Sequence, residues 1–156
     1  MDAPERAVQG VLADYLRRGV FNGLTSQTGR QGKVVFHFEW AYQQPYTLTL
    51  EPSKNRLVFE DFLPRVDGKS LFYKELKAFT QSRSDDNLPL HRRLEAHRLG
   101  LKLRLSQGVV DLEMAVLDGD FGHATQKMVN MAHEIFLFLN EYWADYMSEN
   151  FHLNVE

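Results

Sequence analysis

The sequence contains no cysteine, only 5 prolines in 156 residues, and no wholly apolar run longer than residues 135–139. The missing cysteine excludes thiol chemistry, Cys-ligated zinc and iron–sulfur clusters, and it fits a reducing compartment. The apolar runs are far shorter than the roughly 20 residues of a membrane-spanning helix. The first residues also lack the basic region and apolar stretch of a signal peptide. We therefore expect a cytoplasmic protein that does not insert into membranes.

Charge of neither sign dominates, because 18 Lys and Arg stand against 21 Asp and Glu, for a formal net charge of -3. Aromatic residues are plentiful, with 11 Phe, 6 Tyr and 2 Trp, which excludes a disordered chain. A chain of this length buries about 70% of the surface that its unfolded form exposes, and so holds a core without disulfides or metals. We expect a single domain over residues 1–156.

The first half of the chain predicts one helix followed by a meander of three antiparallel strands. Asp2 can cap the helix, and Gly19 ends it. Residues 20–32 hold three glycines among polar residues, which is typical of a mobile connection. From Lys33 the apolar period changes to two, and turns at 43–45 and 52–55 separate three strands. The outer face of this meander is rich in Thr, Glu and His, and is predicted to face solvent or a partner.

The second half predicts a helix capped by Ser70 and then a two-strand hairpin. With Gln107-Gly108 as a two-residue turn, Arg104 lies opposite Asp111 and Lys102 lies opposite Glu113. The apolar residues of the two strands fall into register in the same arrangement.

A third helix, with its cap supplied by Asp118-Gly119-Asp120, is predicted to run unbroken over residues 121–151, which gives a length of about 45 Å at about 1.5 Å per residue. Its apolar arc covers roughly half the circumference, wider than the roughly 100° stripe needed to pack on one core. The excess width predicts that a second chain covers part of this helix. The residues assigned to this dimer or partner interface are Phe138, Tyr142, Trp143, Met147, Phe151 and Leu137.

Motifs that would carry chemistry are incomplete. Gly68-Lys69-Ser70 begins like a phosphate-binding loop, but the second glycine of that motif would have to stand where the sequence has Leu63. His133-Glu134 begins like a zinc-protease helix, but the second imidazole is replaced by Leu137. We therefore assign no catalytic, metal-binding or cofactor-binding residue and expect a protein that is not an enzyme. A hydrolase whose site assembles from distant residues is the remaining enzymatic alternative.

A basic cluster over residues 91–104 carries five Lys and Arg against Glu95 alone. Since the hairpin pairs two of these basic residues with acidic ones, Arg92, Arg93 and Arg98 remain for other contacts. One alternative is weak, non-sequence-specific binding to nucleic-acid phosphates. The other is that the basic loop faces the last helix, which has no Lys or Arg after Lys127 and is acidic.

The order helix, three-strand meander, helix, hairpin, long helix resembles the type III secretion chaperone-like fold, and within it the YbjN-like bacterial proteins. The segments that carry the likeness are residues 46–50, Tyr-Thr-Leu-Thr-Leu, and residues 109–116. The resemblance implies an α+β fold and a homodimer that binds a protein client without ATP or metal. It supplies no catalytic motif. Because the last helix is predicted to be so long, it could also be exchanged between protomers.

Overall fold

The structure, a computed structural model, describes residues 2–151. It has the mixed α+β architecture that the sequence predicts, with an N-terminal helix, an antiparallel sheet and C-terminal helices. The helices are α1 (Ala3–Arg17), α2 (Leu71–Ser82), α3 (Phe121–Tyr142) and α4 (Ala144–Phe151). The strands are β1 (Asn22–Thr28), β2 (Val34–Glu39), β3 (Pro45–Glu51), β4 (Arg56–Leu63), β5 (Leu99–Ser106) and β6 (Val109–Val116).

The three predicted helix starts are confirmed by their capping hydrogen bonds. The side chain of Asp2 accepts from the Glu5 amide at 3.0 Å, and that of Asp120 accepts from the His123 amide at 3.0 Å. Ser70 Oγ accepts from the Tyr73 amide at 3.1 Å. Each cap satisfies an amide that the first helical turn leaves without a backbone partner.

The sheet has six strands in the order β1-β2-β3-β4-β6-β5, all antiparallel. The expectation of a mobile connection over residues 20–32 is wrong for residues 22–28, which form the edge strand β1 against β2. The meander therefore has four strands. Leu24 alone in β1 packs against the core, so this strand shows none of the apolar alternation by which strands are recognised.

The hairpin register is confirmed pair by pair, with Arg104 opposite Asp111 and Lys102 opposite Glu113. The ion pairs of the hairpin do not follow this strand register. Arg104 Nη1 donates to Glu113 Oε1 at 2.7 Å, while Asp111 accepts from the backbone amide of Asp61 at 2.8 Å. Glu113 is nearly buried. Because β6 lies between β4 and β5, Glu113 pairs with an arginine on each side, and its second partner, Arg56 of β4, lies at 3.4 Å.

All four helices contribute to a core on one face of the sheet, where alternate strand residues such as Phe36, Leu48, Phe59 and Leu112 are fully buried. The opposite face of the sheet carries polar and charged side chains that surround its centre, as the sequence predicts. Thr49 lies at that centre, opposite Val35 on one side and Val58 on the other. It is 0% exposed, although it belongs to the polar face.

The single helix predicted over residues 121–151 is wrong, because the chain breaks at Trp143. This residue has φ -136° and ψ 47°, outside the helical region, and separates α3 from α4. α4 turns back onto the core: the ring of Phe151 lies 5.5 Å from the rings of both Tyr42 and Phe136, and Tyr146 donates to the Pro64 carbonyl at 2.6 Å. Neither α3 nor α4 therefore has the length that would favour exchange of a single long helix between protomers.

Candidate partner-binding surface

An open groove of about 650 Å³ runs along the surface between α2 and α3, and we call it the α2–α3 groove. The helices run antiparallel, since Phe79 near the end of α2 contacts Phe138, while Phe72 near its start contacts Trp143 just after α3. The residues that line the groove and its continuation along α2 are Phe79, Leu137, Phe138, Glu141, Tyr142, Glu75 and Ala78, with Arg92 and Glu134 at one end.

Stacked aromatic rings form the floor of the groove. The rings of Phe79 and Phe138 are nearly parallel, with centroids 4.4 Å apart and an interplanar angle of 15°. The guanidinium of Arg83 lies 4.2 Å from the Phe79 centroid, and Tyr142 lies 5.3 Å from Phe138. Ring stacking and the cation–π contact both hold Phe79 in place.

Two apolar side chains of the groove stand in solvent. Leu137 is 50% exposed and Tyr142 is 63% exposed. They lie beside Glu134, Phe138 and Glu141 because residues three and four apart share a face of a helix. Solvated Leu and Tyr side chains next to a half-buried aromatic stack are typical of surfaces that contact other proteins.

A bidentate ion pair closes one end of the groove. Arg92 Nε lies 2.7 Å from Glu134 Oε1, and Arg92 Nη2 lies 3.1 Å from Glu134 Oε2. The hydrogen bonds from Arg92 lower the pKa of Glu134, although burial opposes them, and the same bonds raise the pKa of Arg92. This contact joins the basic loop to α3, the first part of the acidic helix predicted over residues 121–151. It corresponds to one of the two alternatives that the sequence leaves open for the loop.

Arg83 is buried behind the groove with incomplete hydrogen bonding. Its Nε and Nη2 both bond to Ser82 Oγ, at 3.3 and 3.1 Å, while Nη1 has no partner among residues 2–151. Burial lowers the pKa of Arg83, and nearby Glu134 acts in the opposite direction. The Arg83 guanidinium therefore contacts the Phe79 ring and Ser82.

Carboxylates dominate the exposed rim. Glu75 accepts a hydrogen bond from Trp143 Nε1 at 3.0 Å, and Glu141 is exposed. Residues 128–151 contain no Lys or Arg that could neutralise them. The neighbouring Lys77 points away, because its Nζ lies 4.9 Å from the centroid of the Tyr73 ring.

The structure divides the predicted interface residues into two groups. Leu137, Phe138 and Tyr142 line the groove, and Trp143 lies at its side against Phe72. Met147 and Phe151, at 0% and 6% exposed, pack into the core of the same chain and are not part of the exposed surface.

The arginines suggested for nucleic-acid contact are all engaged within the chain. Arg98 Nε lies 2.6 Å from Asp118 Oδ2, and Arg93 Nη1 donates to the Asp86 carbonyl at 2.9 Å. The hydrogen bond to Asp118 raises the pKa of Arg98 and lowers that of Asp118. Arg92 and Arg98 thus pair with carboxylates, while Arg93 is held by a backbone carbonyl and has no carboxylate partner among residues 2–151.

Sequence reasoning missed the half of the groove that α2 supplies. Nothing in the spacing of Glu75, Phe79 and Arg83 relates these residues to α3. An aromatic residue at the edge of an apolar stripe is the one available signal, since such a residue is half-buried when a second helix packs beside it.

The part of the chain that the structure describes has neither a metal-binding cluster nor a membrane-spanning helix. Residues 2–151 bring no three His, Asp or Glu side chains together in a way that could hold a metal ion. None of the helices within the same range combines the length and apolar character needed to cross a bilayer.

No protein-family model, curated protein or solved structure matches this chain.

Proposed function

We propose that this chain is a non-enzymatic protein-binding module, a cytoplasmic homodimer that acts on a protein partner in the manner of a chaperone or adaptor. The observation that carries the proposal is the α2–α3 groove, where Leu137 and Tyr142 are solvated beside the stacked rings of Phe79 and Phe138. Burying such side chains against another protein contributes roughly 25 cal/mol for each Å² of apolar surface removed from water.

The order of elements supports a likeness to the type III secretion chaperone-like fold. Helix, antiparallel meander, helix, hairpin and helix follow one another as in the expected plan. The chain differs by the additional edge strand β1 and by the break at Trp143. The fold assignment and the client-binding role that goes with it are parts of the same proposal.

Weak nucleic-acid binding has less support. A phosphate must compete with Glu134 for Arg92 and with Asp118 for Arg98, and both pairs have short hydrogen bonds. Phosphate-driven binding would also weaken steeply with salt.

Light scattering tests the dimer. We expect the mass of two chains at micromolar concentration, and the mass of one chain would contradict the homodimer.

Affinity capture from a lysate of the native host tests the partner. We expect the chain to retain a specific protein, and the Leu137→Glu variant to lose it. Leu117→Glu is the matched control, because Leu117 is 61% exposed and lies in the turn before α3, outside the groove. Equal retention by the two variants would contradict the role of the groove.

A further inference from the structure

The α2–α3 groove has carboxylates on its rim as well as an apolar floor, and their negative charge restricts which partners can bind there. Arg92 and Glu134 neutralise each other, and Arg83 lies buried behind Phe79. The carboxylates of Glu75 and Glu141 remain on the rim, and neither forms an ion pair with a residue of the range 2–151. A partner that brings its own carboxylates to this rim is repelled, while one that brings ammonium or guanidinium groups is attracted.

The aromatic side chains favour the same kind of partner. Tyr142 presents an exposed ring directly after Glu141 in the sequence, and Phe138 lies behind it. A cation near the face of an aromatic ring and beside a carboxylate gains from both groups. The other apolar residues that line the groove, Leu137, Ala78 and Phe79, need apolar contact.

The shape is that of a channel between two antiparallel helices. A helix laid in such a groove places its apolar residues at positions i, i+3, i+4 and i+7 against the floor. Its flanking residues then face the two rims, where Glu75 lies on the α2 side and Glu141 on the α3 side.

We propose that the α2–α3 groove binds a cationic amphipathic helix of a partner protein, with Leu or similar residues on the floor and Lys or Arg beside Glu75 and Glu141. This inference rests on the proposed protein-binding function and specifies the chemistry of the partner.

The test uses fluorescence anisotropy with two labelled synthetic peptides and the whole chain. One peptide is an amphipathic helix with Leu on one face and Lys on its flanks, and the other has Glu in place of every Lys. We expect the Lys peptide to bind and its affinity to fall as salt is added, since exposed charges are screened. We expect the Glu peptide to bind at least roughly tenfold more weakly. Absence of binding by the Lys peptide, or equal binding by both, overturns the inference.

Two pairs of variants locate the site. Glu141→Lys is expected to weaken binding of the Lys peptide roughly tenfold, whereas Glu39→Lys makes the same change of charge in β2 and should leave binding unchanged. Leu137→Glu is expected to weaken binding, whereas Leu117→Glu should not. Equal loss in the two Glu→Lys variants would mean that the net charge of the molecule attracts the peptide. Equal loss in the two Leu→Glu variants would mean that the loss is not specific to the groove. Either result would overturn the inference.

Light scattering on the same samples separates this inference from the proposed function. If Leu137→Glu turns a dimer into a monomer, a second copy of the chain occupies the groove and the inference fails while the homodimer stands. If the wild-type chain is monomeric and captures no partner, the proposed function fails, whatever the peptides do. A dimer that Leu137→Glu leaves intact, with peptide binding lost, supports the inference.

Discussion

The Arg92 guanidinium donates two roughly parallel hydrogen bonds to the Glu134 carboxylate, at 2.7 and 3.1 Å. It thereby fixes the loop that follows α2 to the middle of α3. Lys127 strengthens the same attachment, because its Nζ donates to the carbonyl oxygens of Leu90 and Arg93 at 3.1 and 3.0 Å. The Arg92–Glu134 pair forms one end of the α2–α3 groove, so the shape of that end depends on the protonation of Glu134.

Replacing Arg92 with Ala is expected to lower stability in a pH-dependent way. The pKa of Glu134 is lowered in the folded chain, so its pairing with Arg92 contributes stability above the ordinary value of 4.5. That contribution is lost as the pH falls through the lower folded pKa. The difference in melting temperature between wild type and Arg92→Ala should be full at neutral pH and should shrink in acid. Arg93→Ala is the control, because Arg93 bonds to a carbonyl and its effect should not change over this range.

Replacing Trp143 with Ala is expected to cost about 3 kcal/mol of unfolding free energy. The indole packs edge-on against Phe72 with centroids 5.2 Å apart, and its Nε1 bonds to Glu75. Trp143→Phe keeps an aromatic ring and loses the hydrogen bond, and should cost only about 1 kcal/mol. Denaturant unfolding of both variants measures the difference. Tyr142→Ala, at an exposed neighbouring position, should stay within about 0.5 kcal/mol of wild type.

Replacing Thr49 with Val is expected to stabilise the chain by about 1 kcal/mol. The Thr49 hydroxyl is fully buried and has no hydrogen-bond partner within residues 2–151, so its removal relieves a desolvation cost. Thr125→Val is the matched control. Thr125 is equally buried, but its hydroxyl donates to the Phe121 carbonyl at 2.7 Å, and the same change there should destabilise. A loss of stability in Thr49→Val, measured by chemical denaturation, would contradict the assignment.

The same Gly→Ala change is expected to have opposite signs at two positions. Gly108 has φ +80° in the hairpin turn, so Ala there should cost about 1 kcal/mol. Gly10 lies within α1, and a Cβ added to it meets no atom within 4 Å. Ala at that position should stabilise by about 0.5–1 kcal/mol, since it lowers the entropy of the unfolded chain and favours the helix. Thermal unfolding of the two variants should show melting temperatures on opposite sides of the wild type.

The parts of the fold that follow from sequence are those in which several local signals agree. The β5–β6 hairpin is one, because turn residues, apolar alternation and cross-strand charges all predict one register. β1 could not be recognised, since an edge strand with a single core contact at Leu24 needs no apolar alternation. The break at Trp143 carries no Pro or Gly. At the break, Trp143 contacts Phe72 and Glu75, which are far away in the sequence.

For the groove, the sequence identifies the α3 residues and not their neighbours on α2. The sequence assigns Leu137 and Tyr142 to the interface, whereas the role of Phe79 depends on how α2 is placed beside α3. The wide apolar arc of the predicted last helix indicates an interface. In the structure much of that width is covered by the chain itself, because α4 folds back and buries Met147 and Phe151.

The position of β6 between β4 and β5 also sets the order in which the chain can fold. Strands β1 to β4 pair with sequence neighbours, and so does the β5–β6 hairpin. Joining the two halves brings together residues such as Arg56 and Glu113, which are 57 residues apart. Long-range closures of this kind are the slow events in folding. We therefore expect docking of the hairpin onto β4 to limit the folding rate.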